Sequence, residues 1–431
     1  MADGARSDHP GVRAELDRLA RLSPGGDRLG LERISDLLAR FNHPERQLPP
    51  VFHVAGTNGK GSTCAFLRAA LEASGARVHV FTSPHLVRFN ERIRLAGRLI
   101  DDETLAALLG EVLDASADIA PSFFEATAAA AFLAFARTPA DALVLEVGMG
   151  GRLDATNVME RPAVTGIAAL GLDHQQWLGE SLAAIAGEKA GIAKLGVPMV
   201  TLAHPPDAAA QVRKVADAKG APLFVQGAEW HSHVDGARLH YSDAKGSLDL
   251  PLPALPGPHQ VDNSTLAVAM LRHQQALAVP AGSLARGMTH VRWPARLQKL
   301  RPGPLIGTRD AWLDGGHNAQ AAAVLAASIS DLAEGRPIHL IVGALSTKDA
   351  AGLLAPFQGR VAEVHTISFD HPLAMPAADL TRIAAEQGLA AQAAPSLRAA
   401  IASVPPEAVL LIAGSLYLAG EVLALNDEAP D

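Results

Sequence analysis

An apolar run, Val51-Phe-His-Val-Ala55, passes directly into Gly56-Thr-Asn-Gly-Lys-Gly-Ser62 and then into CAFLRAALEASG, where apolar residues recur at helical spacing. Few folds accommodate that order. Glycines let the backbone turn sharply at the end of a buried strand, and the N–H groups of the turn and of the helix start then converge. Such a point favours an anion, and Lys60 adds a cation beside it. The spacing differs from G-x-x-x-x-G-K-[ST], because Gly61 follows the lysine and the hydroxyls come at Ser62 and Thr63. The bland alternative is a turn that joins strand to helix with a solvated lysine. The strand-to-helix setting favours a phosphate loop formed by Gly56, Thr57, Asn58, Gly59, Lys60, Gly61 and Ser62.

Further β-α units follow to about residue 200, with strands expected at Val51–Ala55, Arg77–Phe81, Ala142–Val147 and Ala163–Ala168. This alternation predicts an α/β fold around a mostly parallel sheet, whose ligands gather at the carboxyl ends of the strands. Residues 221–258 carry short alternating runs with turn glycines and prolines, which predicts a small antiparallel appendage. A helix from Asn263 to about Ala276 is expected to return to the first domain. Prolines then crowd WPARLQKLRPGPL, and a second β-α set begins: AWLDGG, a helix from about Asn318, IHLIVGAL, a helix from about Lys348, EVHTISFD and AVLLIAGS before a last helix. The expected division is 1–294 and 295–431.

A chain of 431 residues exceeds one ordinary core, in keeping with two domains. The formal net charge of -8 offers no broad basic surface for nucleic acid or acidic lipid. The single cysteine, Cys64, allows no intrachain disulfide and fits a reducing compartment. The N-terminus has no apolar signal core, and the greasiest run, ATAAAAFLAFA, is bounded by Glu125 and Arg137, well short of the roughly 20 residues of a membrane span. A cytoplasmic enzyme without nucleic-acid or membrane partners is the expectation.

A nucleoside triphosphate needs a divalent cation with hard oxygen ligands near its phosphates. Glu146 follows a run apolar enough to be a buried strand, where an unpaired carboxylate is costly unless it meets a metal. Ser83, in VFTSPH, and His174, in LGLDHQQ, stand at the equivalent place after two other strands. Singly, Ser83 can cap a turn and His174 can be a surface histidine; together they mark a magnesium site. Lys189, in the small-residue helix SLAAIAGEKAGIAKLG, reads on physical grounds as a snorkelling surface residue.

VAGTNGKGS, TSPHLVRFNERI, LEVGMGGRLDATN, LDH, GEKAGI and DGGHNA, in this order, resemble the folylpolyglutamate synthase/dihydrofolate synthase family, a branch of the Mur-ligase-like amide-forming enzymes. The resemblance runs from about LGLERI at residue 29 to the end. It implies a P-loop-containing central domain with a parallel sheet, joined to a smaller Rossmann-like domain, with ATP between them. It also implies that Ser83, Glu146 and His174 hold magnesium, and that Lys189 is N-carbamylated and serves a second magnesium. Asn263, Arg296 and Asp314 match nucleotide-binding positions, with His317 beside them; Lys60, Lys189, His317 and Asp314 form the implied catalytic group. The pterin positions match Asp27, Arg28, Leu29, Phe124, Leu153, Asp154 and Ala155. Two motifs depart from the common pattern: Pro294-Ala-Arg-Leu-Gln298 stands for P-G-R-F-Q, and Asp314-Gly-Gly-His-Asn-Ala319 for DVAHNP.

The activity so implied is ATP-dependent addition of L-glutamate to dihydropteroate and to reduced folates through an acyl phosphate, by a protein expected to be monomeric. The rival readings are a ligase of the same architecture acting on another carboxylate, such as a UDP-muramyl precursor, and a nucleotide-hydrolysing regulator. PSFFEAT and LGLERI favour the pterin branch.

Overall fold

The computed structural model of the chain describes residues 7–22 and 29–431. Asp27 and Arg28, two of the expected pterin positions, lie outside the described residues.

The first eight strands are β1 (Val51–Ala55), β2 (Val78–Phe81), β3 (Ile93–Leu95), β4 (Arg98–Leu99), β5 (Ala142–Glu146), β6 (Val164–Ile167), β7 (Met199–Thr201) and β8 (Leu223–Val225). They form one sheet in the order β4-β3-β2-β5-β1-β6-β7-β8. Neighbours from β2 to β8 are parallel, and β3 and β4 add an antiparallel edge. All five residues of both β1 and β5 are buried, as strands covered on both faces must be. Alternate side chains enter opposite cores. Val144 packs with Phe66 and Met270 on one face, whereas Leu143 and Leu145 pack with Phe132 and Leu109 on the other. The four strands expected from the sequence are present with ends shifted by at most one residue, because polar or glycine residues terminate each run.

The appendage is a three-stranded antiparallel meander, β9 (Trp230–Asp235), β10 (Arg238–Asp243) and β11 (Gly246–Pro251), anchored by Trp230, Leu239, Tyr241 and Leu250 in the first core. The returning helix starts earlier than expected. It runs from Pro258 to His273, because Pro258 occupies the first helical position, where its missing N–H costs nothing.

A second sheet contains β12 (Gln298–Lys299), β13 (Ala311–Leu313), β14 (Ile338–Val342), β15 (Glu363–Thr366), β16 (Ala391–Ala393) and β17 (Val409–Ala413), in the order β12-β13-β17-β14-β15-β16. All pairs are parallel except β12 with β13. The short strand β16, with the polar pattern Ala-Gln-Ala, has no apolar run to announce it. Asn318 caps the helix Ala319–Leu332 by accepting from Ala321 N. The helix expected from Lys348 starts at Ala350, since Asp349 is the residue that caps it and Lys348 is left free to reach elsewhere.

The last helix, Leu416–Leu425, lies against the first region so closely that a Cβ at Gly420 would collide with the carbonyl of Leu86. Backbone cannot yield as a flexible side chain can. Gly420→Ala is therefore expected to lower the free energy of unfolding by about 1–3 kcal/mol, the usual cost of overpacking. A urea midpoint equal to that of the unsubstituted protein would show that this contact bears no load.

Candidate active site

The glycine loop leaves β1 and folds under the end of β6. Thr57 N and Asn58 N both donate to Ala169 O, at 2.8 and 3.1 Å, and the Thr57 hydroxyl donates to Gly171 O at 3.0 Å. Two glycines are required here. Gly56 has φ +154° and a Cβ on it would lie 2.9 Å from the Ala168 methyl; Gly59 has φ +84° and a Cβ would strike the Asn263 amide. Asn263, expected to serve nucleotide, is buried against the loop in this way and holds Gln260 at 3.0 Å. Gly59 caps the helix Lys60–Ala73, whose first turn contains Ser62 and Thr63, both buried. The Thr63 hydroxyl has no hydrogen-bond partner.

Two lysines meet at one carbonyl. Lys60 Nζ donates to Gly56 O at 3.1 Å and to Thr57 O at 3.3 Å, and Lys189 Nζ donates to Gly56 O at 2.8 Å. Lys189 is thus no surface residue: only 4 % of it is exposed. The snorkelling reading fails because the helix Leu182–Ala190 turns this side chain under the loop, which spacing among small residues does not reveal. Burial, and then the charge of Lys60, push its ammonium down to about 7, with Asp173 and Asp154 opposing. Glu146, at the end of β5, is buried and accepts from Ser83 N at 3.2 Å. Burial raises its carboxyl above the ordinary value, against the pull of Lys60 and Arg296.

His174 stands in a left-handed turn, φ +51°, beside Asp173. Burial, then the cations Lys348, Lys60 and Lys189, bring its imidazole down to about 4 against the pull of Asp173. Asp173 is the hub that motif reading missed. Its Oδ1 accepts from Lys348 Nζ at 2.7 Å, and its Oδ2 lies 3.7 Å from His317 Nε2. Burial opposes ionisation, but His317, His174 and Lys348 together hold this carboxyl well below the ordinary range. Lys348 and His317 come from the second sheet's loops, so Asp173 joins the two halves. A second tie lies nearby: Asn58 Nδ2 donates to Gln320 Oε1 at 2.7 Å, and Asn318 Nδ2 donates to Asn58 Oδ1 at 3.0 Å. Neither Lys348 nor Gln320 has any local sequence signal; their side chains act through partners 150 or more positions away.

Between these elements lies a cavity of about 420 Å³. Leu29, Phe124, Leu153, Asp154, Ala155, Ser83, Lys60, His174, Lys189 and His317 all border it. Phe124 is set by a capping box in PSFFEAT: Glu125 N donates to Ser122 Oγ at 3.2 Å and Ser122 N donates to Glu125 Oε2 at 2.6 Å. Its ring lies over Gly148, where a Cβ would overlap it. Asp154 lines the wall but is committed to its own turn, accepting from Met149 N at 2.8 Å and from the Thr156 hydroxyl and N–H. A second cavity, about 810 Å³, opens on the other side of Ser83 and is bordered by Gly61, Glu146, Trp293 and Arg296. The Trp293 indole N–H there is buried without a partner.

The two departing motifs prove to be bonded to each other. Leu297 N donates to Asp314 Oδ2 at 2.7 Å, Gly316 N to Asp314 Oδ1 at 2.7 Å, and Gly315 N to Ala295 O at 2.9 Å. Asp314 is therefore a staple for the segment that presents Arg296. Ala295 adopts φ +55°, a conformation in which glycine is comfortable and alanine is strained by roughly 1–2 kcal/mol. A glycine at this place, as in the P-G-R-F-Q pattern, carries no such strain.

The Mur ligase middle domain family matches residues 54–271, and the Mur ligase glutamate ligase domain family matches residues 297–416. The Escherichia coli dihydrofolate synthase/folylpolyglutamate synthase is 34% identical over 93% of this chain and 92% of its own. The chain belongs to the dihydrofolate synthase/folylpolyglutamate synthase family. The Bacillus subtilis member is 35% identical over 82% of this chain and 84% of its own. Among solved structures of the family, E. coli FolC in complex with DHPP and ADP superposes with a TM-score of 0.88 at 33% identity, covering 96% of this chain and 97% of that one. A bifunctional folylpolyglutamate synthase/dihydrofolate synthase with Mn, AMPPNP and L-glutamate bound superposes at 0.84, with 31% identity over 96% and 97% of the two chains. Of the sequence-predicted residues of the described chain, Asn58, Gly59, Ser62, Asn263 and Asp314 border neither cavity, and the others border one or both.

The charges around His174 give a direct prediction. Its ring is expected to titrate near pH 4. Asp173→Asn, which removes the opposing carboxylate, lowers that midpoint further, and Lys348→Met raises it. An NMR titration of the ring with a midpoint at the ordinary 6.5 in all three proteins would overturn the field described here.

Proposed function

We propose that this protein joins L-glutamate to dihydropteroate and to the γ-carboxylate of reduced folates, consuming ATP and releasing ADP and phosphate. The observation that carries the reading is the meeting of Lys60 and Lys189 at Gly56 O on the wall of a cleft that also contains Phe124 and the 153–155 turn. The names and bound ligands of the relatives agree with it. The division near residue 295, between the two family matches, is adopted as the boundary of a nucleotide-binding and a glutamate-ligase domain.

The pterin-bearing acceptor lies in the smaller cavity, its ring against Phe124 and Leu153. The nucleotide lies across the loop into the larger cavity, where the orphaned Trp293 N–H and the Arg296 guanidinium offer donors. Lys60 and the N–H groups of the helix start bind the transferring phosphoryl group. The acceptor carboxylate oxygen attacks the γ-phosphorus as the bond to ADP breaks, giving an acyl phosphate. The glutamate amine, once deprotonated, then attacks the acyl carbon; the amide bond forms and phosphate departs. Water must be kept from the acyl phosphate, and the Asp173–Lys348 and Asn58–Gln320 ties hold the two halves together over it.

The residues present fit a divalent cation: Glu146 is a buried carboxylate with a single N–H partner, Ser83 offers a hydroxyl, and His174 is neutral above about pH 4. These three are assigned to hold magnesium, which when bound offsets the negative charge gathered on the phosphates. A carbamate on Lys189 is assigned to a second cation. Carbamylation needs a neutral amine to attack carbon dioxide with loss of a proton, and burial supplies that amine near pH 7. Lys189 in its ammonium form would set a buried cation beside the partly exposed Lys60; as a carbamate it becomes an oxygen ligand.

The deciding assay is phosphate release with MgATP, dihydropteroate or tetrahydrofolate as acceptor, and glutamate present or absent. Release is expected with both acceptors and only with glutamate; release that ignores glutamate removes the ligase reading. Lys60→Ala is expected to cost about 10²–10³-fold in kcat, the usual loss for one preorganised donor. Lys189→Ala is expected to be inactive and partly restored by acetate.

Lys189→Met separates stability from activity. The folded pKa lies near 7 and the unfolded one near 10.5, so the unfolded chain binds the extra proton in that window. Stability tied to this residue therefore falls as pH drops from 10.5 to 7 and is lowest below 7. Lys60 still serves Gly56 O in the variant. Measured against the uncarbamylated protein, free of carbon dioxide, Lys189→Met is thus expected to be inactive yet more stable at pH 7 by about 1–3 kcal/mol. A variant both inactive and less stable would contradict the burial cost.

A further inference from the structure

Away from the cleft, three metal-ligating side chains converge on one face of the second sheet. They are His339 on β14 and Glu363 and His365 on β15; His339 and Glu363 are register partners, and His365 is two residues further along the same face. His339 and Glu363 stand at the amino-terminal ends of their strands and His365 further along β15, whereas the cleft residues Asp314, Lys348 and Ser415 follow the carboxyl ends of β13, β14 and β17. Both imidazoles are buried and Glu363 is partly exposed.

The distances form a nearly regular triangle. His339 Nδ1 lies 3.1 Å from His365 Nε2 and 3.8 Å from Glu363 Oε2, and His365 Nε2 lies 3.6 Å from Glu363 Oε2. Ligand atoms on a tetrahedral zinc, each about 2.0–2.1 Å from the ion, are about 3.3 Å apart. The triangle matches one face of such a tetrahedron.

Proton positions sharpen the point. The Ser403 hydroxyl donates to Ala400 O at 2.8 Å, so toward His365 Nδ1, 3.2 Å away, it accepts. With the proton on Nδ1, where the Ser403 oxygen accepts it, the lone pair of Nε2 faces the triangle; Gln392 Nε2 also lies 3.5 Å from Nδ1 but spends its shorter bond on Glu363. Gln392 Nε2 donates to Glu363 Oε1 at 2.9 Å, which orients the carboxylate and leaves Oε2 facing the same point. Two acceptors thus face each other, and a proton on His339 Nδ1 can satisfy His365 Nε2 but leaves Glu363 Oε2 against that lone pair. A cation satisfies all three. Outer partners of this kind, fixing tautomer and carboxylate, are what metal ligands ordinarily carry.

We propose that His339, Glu363 and His365 bind one divalent transition metal of the zinc class, with a water completing the coordination on the side where Glu363 meets solvent. Two imidazoles and one carboxylate select zinc, cobalt, nickel or copper over magnesium. The ion pins β14 to β15 at the end of the sheet opposite the cleft, with His339 moving its proton to Nε2 on binding.

The test uses the full chain, stripped with chelator, desalted, and titrated with Co²⁺ in saturating Mg²⁺. One equivalent of Co²⁺ is expected to give the visible absorption of tetrahedral cobalt, and Zn²⁺ to abolish it. Glu363→Gln and His339→Gln are each expected to weaken binding at least tenfold, while Glu146→Gln, in the cleft, leaves it unchanged. Melting of the metal-free variants checks folding, and if His339→Gln does not fold, the partly exposed Glu363→Gln decides alone. No tetrahedral spectrum overturns the proposal. So does one that survives Glu363→Gln, or one that disappears with Glu146→Gln.

Discussion

The meeting of two lysine side chains at a single carbonyl, one buried and one partly buried, organises this molecule. An ammonium taken out of water is costly, and a second one beside it compounds the cost. The chain accepts that cost at Gly56 O, where Lys60 arrives from the helix that follows the loop and Lys189 from a helix about 130 residues later. Acidic groups stand nearby but are otherwise engaged. Asp154 is tied to its own turn, Glu146 receives Ser83 N, and Asp173 is drawn to Lys348 and His317. The local field stays positive where a phosphate belongs, and such preorganised charge is the chief device by which phosphoryl transfer is accelerated.

Because the site lies between two sheets, its geometry depends on how these are joined. Close backbone packing at Gly420 and Leu86, the Asp173–Lys348 ion pair and the Asn58–Asn318 amide pair all cross that junction. The first is rigid, since a helix cannot approach a backbone carbonyl so closely with any side chain in the way. The other two are polar contacts at the rim of the cleft, which water can replace. An enzyme that must admit substrates and then exclude water needs both kinds of contact.

Motif substitutions that look independent in the chain turn out to be one structural unit. The 294–298 segment and the 314–318 segment are joined by Leu297 N donating to Asp314 and Gly315 N donating to Ala295 O. The strained φ of Ala295 is tolerated because Asp314 fixes the segment from two sides. Arg296 keeps its place beside the larger cavity through this staple.

Much was legible in the residues alone. The apolar runs ending in glycine or a polar residue located β1, β2, β5 and β6, because a strand buried on both faces must be apolar throughout and must end where the chain meets ligand or solvent. The positions of the glycine loop, Ser83, Glu146 and His174 at or beyond those strand ends were legible for the same reason. What local pattern could not decide was any contact between distant segments: the descent of Lys189 beneath the loop, the role of Asp173 as a hub for Lys348 and His317, the gathering of His339, Glu363 and His365 on one sheet face, and the polar edge strand β16. Sequence by itself determined the apolar strands and the main helices and which polar residues follow the strand ends, since those follow from periodicity and turn residues within a few positions. Tertiary structure alone decided which charges share a cavity and which ammonium is buried, since a side chain's field depends on neighbours that only packing brings within a few ångströms.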